Sequence, residues 1–401
     1  MRAGRKAVCA ALLLWLAFGF ALWFSAGNVR AADNVEKEPD KETENAADIT
    51  ENVEKDLLER FDYSEINEAL EQLFPEKKID FGEAVKEMIA GKTGISKEFF
   101  KGLIKEQLFY AFSSCRKNLV QILIITLIAA VFQNFAQVFK SRQASEISFY
   151  VIYLLLVSLC LHSFWTAIEW VSKGLEKLTW FMTAFCPVYF LAVSIAKGSV
   201  TAVGFYNLAL LFIYLVEVVI VCVLLPCIHI YIMVKILDFL SLQENLSKFA
   251  ELIETAVSWI LKTLLACVLG LNVVQGMISP AIDAVKRSAV TRTAEAVPGV
   301  GDAIGGVTEV VLGTAVLVKN GIGAVGMFVC LALCIVPLVQ VGCIALMYKL
   351  AAAVVQPVSD KRTAGCIDCV GDGCRLLMQV VFTAGVLFLL TIVIVSFVTA
   401  G

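Results

Sequence analysis

From residue 119 onward the chain consists of long apolar runs separated by short polar breaks, at 119–139, 147–165, 181–196, 203–225, 256–279, 303–318, 322–348 and 376–400. A helix needs roughly 20 apolar residues to cross a bilayer core of about 30 Å. Eight runs, two of them short, therefore predict an all-α polytopic membrane protein with about 7–8 transmembrane helices in a membrane domain spanning 118–401. Composition agrees: 59% of the 401 residues are hydrophobic and mean hydropathy is +0.80, beyond a soluble domain, where about half the residues are apolar.

Ahead of the spans the pattern changes three times. Arg2, Arg5 and Lys6 precede an apolar run over 7–24 and small residues ending at Val29-Arg30-Ala31. That order is the layout of a secretory signal peptide over 1–31, with an uncleaved anchor as the alternative, and either one exports the residues after position 32. Residues 32–55 are Glu, Asp, Lys, Asn and Ala with almost no apolar members, a composition that cannot offset ordering entropy and predicts a disordered acidic spacer. Region 56–117 then carries helix signals. Asp62 with Glu65 opens a helix holding Ile66, Leu70 and Leu73, and Asp80 with Glu83 opens one holding Val85, Met88 and Ile89. Pro75 separates the two and Gly91 ends the second. From Ser96, Phe99, Phe100, Leu103, Ile104 and Leu108 alternate with Lys97, Lys101, Lys105 and Glu106 as an amphipathic helix running into the first span, either in the headgroup layer or as a plain soluble helix. These short helices are too few for a core of their own, so they are expected to pack on the membrane or on a partner.

Charge adds a topology. Net charge is −3, but Asp33 to Lys105 holds 20 acidic and 11 basic residues, a net of −9, leaving +6 elsewhere. Under the positive-inside rule the breaks with Lys140 and Arg142, with Lys197, and with Lys286, Arg287 and Arg292 fall in the cytoplasm. The stretch bearing Lys349, Lys361, Arg362 and Arg375 joins them only if 303–348 crosses twice. That predicts a hairpin turning at Lys319-Asn320-Gly321, whereas a re-entrant dip would leave four basic residues outside. Between Trp165 and Trp180, the residues Glu169, Lys173, Glu176 and Lys177 alternate with apolar ones and predict an interfacial helix.

Candidate chemistry concentrates in the stretch 298–326. Pro298 interrupts an entering helix, and Gly299, Gly301, Gly305, Gly306, Gly313, Gly321, Gly323 and Gly326 remove side chains where backbones could approach. It is either a loosely packed span plus a turn, or a broken hairpin lining a water-filled path. Glu217, Lys262 and Glu309, with His229, are the polar groups inside apolar runs and are functional candidates by default. A relay built on Glu217 and Glu309 stands against interhelical hydrogen bonding or exposure to an assembly's lumen. Cys366, Cys369 and Cys374, near Asp368 and Asp372, lack the fourth ligand of a structural zinc site. No phosphate loop, nucleophile elbow, zinc-protease motif or dinucleotide fingerprint occurs, so neither catalytic residues, cofactor, metal nor nucleic acid is expected.

The exported segment FDYSEINEALEQLFPEKKIDFGEAVKEMIAGK, the paired spans and KRSAVTRTAEAVPGVGDAIGGVTEVVLGTAVLVKNGIG across 286–323 resemble the stage III sporulation protein AE family of endospore-forming bacteria. The resemblance implies a non-enzymatic polytopic protein of the mother-cell membrane surrounding the forespore, in a channel or secretion-like complex. The partners it implies are other membrane proteins of the stage III sporulation A operon, their cytosolic ATPase, ring-forming proteins of the intermembrane space and a forespore membrane partner. The alternative is an autonomous ion or small-molecule transporter.

Overall fold

The computed structural model describes residues 55–73, 80–91, 97–138, 142–197, 201–240, 246–294 and 301–398, nearly all helical and with no strand among them. The signal peptide, most of the acidic spacer, Pro75, Ser96, Pro298 and Gly299 lie outside the described residues. After a helical turn at 55–59 come α1 (Ser64–Leu73), α2 (Phe81–Ile89), α3 (Lys97–Val138), α4 (Arg142–Lys197) and α5 (Thr201–Val218). A π-helical segment, Val219–Leu224, leads into α6 (Leu225–Leu240), which precedes α7 (Ser247–Ala294), α8 (Gly301–Val355) and α9 (Lys361–Val398).

Local chemistry explains the short elements. Asp80 caps α2, its carboxylate accepting from the Glu83 amide at 2.9 Å and from Asn67 Nδ2 at 3.3 Å. Gly91 ends α2 at φ 72, a conformation open to glycine, and its amide donates to the Met88 carbonyl. Asp62 accepts from the amide and hydroxyl of Ser64 at 2.9 and 2.5 Å, and these bonds hold its carboxyl below the usual carboxylate range. A lowered folded pKa means that the contribution of Asp62 is present at neutral pH and is lost only as pH falls through that lowered value. The π-helical segment has a cause as well. Pro226 lacks an amide hydrogen and its ring crowds the carbonyl four residues back, and the chain widens just before it, the Leu225 amide reaching Ile220 O.

Among the described residues six helices are long and apolar enough to cross a membrane, at Phe99–Val131, Tyr150–Ala196, Ala209–Phe239, Ser247–Gly270, Val311–Val355 and Lys361–Val393. The all-α multi-pass architecture is thus as expected, with eight apolar runs carried on six helices. The runs 147–165 and 181–196 share α4, and no separate interfacial helix stands between them. The helical period continues through 166–180, where Val171, Leu175 and Leu178 are buried while Glu169 and Lys173 pair at 2.7 Å on the outer face. The runs 303–318 and 322–348 share α8, so the expected hairpin is not formed. Lys319 is fully buried and Gly321 faces α2 within a continuous helix.

The structure corrects two further expectations. The loop expected between Lys349 and Arg375 contracts to a turn at 356–360, because the Cys366–Cys374 segment is helical. Arg142 cannot share a compartment with Lys197 when α4 crosses a membrane once, since its 56 residues extend about 84 Å at 1.5 Å per residue; Lys140 lies outside the described residues.

The core is organised around α8, which packs against α9, α4, α3 and α2; α1 packs on α4. The N-terminal helices therefore rest on this chain's own bundle, where a membrane or partner surface was expected. Interhelical hydrogen bonds tie the rods: Tyr153 OH to the Ile236 carbonyl at 3.0 Å, Tyr189 OH to the Ile392 carbonyl at 3.3 Å, Gln340 Nε2 to Gln107 Oε1 at 2.8 Å and Asn118 Nδ2 to Ser163 Oγ at 3.2 Å.

Loss of the α2 cap in Asp80→Ala should cost about 1 kcal/mol. Hydrogen exchange in α2 should then quicken about fivefold, with Asp80→Asn close to wild type, because Asn caps as well as Asp. Unchanged exchange in Asp80→Ala would show that packing alone holds α2.

Candidate functional site

Two features stand out along α8. Around its first half, Gly321 on one side and Gly323 with Gly326 on another, together called the glycine face below, leave room for other elements. A Cβ on Gly321 would meet Ile89 Cγ1 at 2.9 Å and Val85 Cγ1 at 3.3 Å, so the absent side chain is the seat of α2. A Cβ on Gly323 would meet Tyr189 Cε2 at 3.0 Å, and one on Gly326 would fall within the Phe185 ring. Phe181, Phe185 and Tyr189 stack along α4 with centroids 5.6 and 5.2 Å apart, and Phe81 meets Phe185 edge-on at 6.1 Å. Tyr63 extends this aromatic chain from α2 to the start of α1, 5.6 Å from Phe81. Burial raises its phenol pKa, and its hydroxyl is buried without a hydrogen-bond partner among the described residues.

Toward the α8–α9 turn, six charges from four helices meet. Asp372 of α9 accepts from Lys349 of α8 at 2.9 Å and from Lys235 of α6 at 3.1 Å, while Asp368, one turn earlier, pairs with Lys349 at 2.7 Å. Arg375 pairs with Glu254 of α7 at 2.9 Å, and Tyr231 reaches Glu254 at 3.5 Å. Lys235 also lies over the Tyr231 ring, 5.4 Å from its centroid. The charges balance, with Lys235, Asp368, Asp372 and Glu254 partly shielded and Lys349 and Arg375 exposed, an arrangement suited to fixing the register of four helices. It was missed in the sequence because two of its three acids, Asp368 and Asp372, were weighed beside the neighbouring cysteines. The signal was Asp368, Asp372 and Arg375 at i, i+4 and i+7, one face of a helix.

The other candidates lie apart from these two features or at their margins. Gly301, Gly305 and Gly306 lie in the first turns of α8, and Gly313 has open space around it. Glu217 is half-buried in α5 and Lys262 is exposed on α7, so the structure does not bring these two together with the glycine face. Glu309 lies in α8, but its side chain is outside the described residues, as is any relay through it. His229 stacks edge-on against Trp165 at 5.5 Å, with Nδ1 buried and unpartnered among the described residues. Cys366, Cys369 and Cys374 are buried, Cys369 donating to the Cys366 carbonyl at 3.1 Å. Among the described residues no group of three or more His, Cys, Asp or Glu is placed to hold a metal ion.

The glycines should rank by what an added methyl meets. Gly326→Ala, against a ring held between two stacked neighbours, should cost about 1–3 kcal/mol as an overpacked site. Gly321→Ala should cost less, since the Ile89 side chain can rotate away, and Gly313→Ala should be neutral or slightly stabilising. Thermal unfolding of the detergent-solubilised protein gives the order, and greatest sensitivity at Gly313 would contradict it. For the charge cluster, Asp372→Asn should lower stability by about 1–3 kcal/mol, more than Asp368→Asn, because two lysines converge on Asp372. A double-mutant cycle with Lys235→Met should show a coupling of about 0.5–3 kcal/mol, and strict additivity would remove the pairing.

A family profile described as "Stage III sporulation protein AE" matches residues 79–399. A relative of that name from Bacillus subtilis (strain 168) is 24% identical over 378 residues, 93% of each chain. No solved structure matches. The family profile covers both the glycine face and the ionic cluster, and the chain belongs to the stage III sporulation protein AE family, with a role in sporulation as a multi-pass membrane protein.

Proposed function

We propose that this chain is a non-enzymatic subunit of a sporulation-specific, channel- or secretion-like membrane complex joining mother cell and forespore. It sits in the mother-cell membrane surrounding the forespore, with α1 and α2 on the intermembrane side. The observation that carries the proposal is the family match across 79–399. The seating of α2 on the glycine face supports it, because it turns the N-terminal helices into a fixed platform of the bundle on which ring-forming proteins of the intermembrane space can assemble. The opposite end, with the α8–α9 turn and Lys361 and Arg362, faces the cytoplasm and the ATPase. Other membrane proteins of the stage III sporulation A operon meet the bundle within the membrane, and a forespore membrane partner completes the complex across the gap.

Tagged protein recovered from sporulating cells should co-purify with these classes of partner and migrate on native gels far above its own 43.7 kDa. Deletion should block spore development, and Glu217→Gln should leave sporulation nearly intact. A stable lone species with uptake activity in liposomes, abolished by Glu217→Gln, would overturn the proposal in favour of an autonomous transporter.

A further inference from the structure

One cross-section of the bundle can be read from lateral contacts. Gly174 of α4 lies against Pro337 of α8, where an added Cβ would approach the ring to 2.9 Å. Gln107 of α3 bonds Gln340 of α8 at 2.8 Å, and Tyr110 of α3 lies 5.8 Å from Trp170 of α4. On α9, Met378 lies against Gly342 and Gly385 against Cys334, so Phe382 stands at the level of Pro337. This section is central in the candidate spans: Lys173 is the midpoint of Tyr150–Ala196, and Pro337 lies four residues from the midpoint of Val311–Val355.

At this level the faces differ in kind. Phe382 is exposed on α9, and no charged residue occurs from Leu376 to Val393. The α3–α4 face instead exposes Lys105, Glu106, Glu169, Lys173, Glu176 and Lys177, with Leu108, Phe109 and Phe112 exposed among them on α3. Each such charge costs at least about 2.5 kcal/mol at the centre of a bilayer, even on the most lenient scale. A surface pair such as Glu169–Lys173 recovers only about 0.3–0.5 kcal/mol, so this face cannot meet acyl chains. Nor does moving the belt into water beyond the membrane resolve the problem. Exposed apolar residues flank it along α4 on both sides, Val151, Leu154 and Leu155 before it and Leu191 after it, and one flank would accompany the belt out of the lipid.

We infer that the α3–α4 face borders a water-filled path through the bilayer, closed by neighbouring subunits of the assembled complex. The inference rests on the subunit role proposed above and deepens it. At this section three lysines meet three glutamates, while Lys101, Arg116 and Lys117 are also exposed on α3, so the path carries a positive excess and suits hydrated polar solutes, anions ahead of cations.

The test is collision accessibility of nitroxides on full-length Lys173→Cys and Phe382→Cys proteins, with the exposed Cys222 and Cys267 replaced, in membranes from sporulating cells. Position 173 should collide with a polar nickel chelate in preference to oxygen, and position 382 should show the reverse preference. Oxygen preference at both positions would put the belt in lipid, and exclusion of both colliders at 173 would bury it against another protein. Chelate access at 173, 382 and a third label at Leu191 would place the section outside the bilayer. Any of the three overturns the inference. The measurement does not require recovery of the complex. A complex that co-purifies while 173 faces lipid removes only the aqueous path, whereas absence of any complex removes the subunit role.

Discussion

Removal of three side chains from one short stretch of α8 is the constraint on which the rest of the structure depends. Apolar helices in lipid gain nothing by hiding from water, so they associate through close packing, and close packing requires small residues where backbones and rings cross. Gly321, Gly323 and Gly326 let Val85, Ile89, Tyr189 and Phe185 come within van der Waals contact of the α8 backbone. The same device recurs lower down, where Gly174 receives the Pro337 ring. A proline inside a long helix ordinarily bends it; here the ring is seated in the space left by the missing side chain of the neighbouring helix.

Packing of this kind is not selective about register, and polar ties supply what it lacks. Tyr153, Tyr189, Gln107 and Gln340 each join two helices at separate heights along the bundle. The cluster of Lys235, Lys349, Asp368, Asp372, Arg375 and Glu254 joins four helices at once. Partly buried ion pairs add little net stability, because desolvation offsets most of their attraction, but a shift by one helical turn would leave several charges unpaired. Their contribution lies in fixing one arrangement over its neighbours.

Much of the fold could be read from the sequence because local signals and tertiary packing agree there. Asp62 and Asp80 begin helices α1 and α2, Gly91 ends the second, and the apolar runs mark the rods. Connectivity was less legible. The charged stretch 166–180 and the glycines near Lys319 both interrupt hydrophobicity, and a hydropathy count cannot distinguish a break in polarity from a break in the helix. In α4 the period of 3.6 continues through the charges, and in α8 the glycines are compensated by the elements seated on them. Loop charges carried the same ambiguity, since Lys349 and Arg375 are partners within a bundle and not markers of a long loop. The glycine face was legible as a place of close approach, whereas its occupant, α2, is separated from it by more than 200 residues and leaves no local trace.

Helix α8 is common to the glycine face, the Gln107–Gln340 tie and the ionic cluster, and this determines how the two ends of the bundle relate. A rod of 55 residues extends about 82 Å, and a hinge in it would let one end move without the other. Pro337 is where a hinge would be expected. Its ring, however, is enclosed by Gly174 of α4, and Gln340, one turn on, is anchored to α3. Bending at Pro337 would have to displace α3 and α4 together. The seat of α2 and the charge cluster near the α8–α9 turn are therefore carried by one continuous helix whose proline position is packed against α4 and tied to α3.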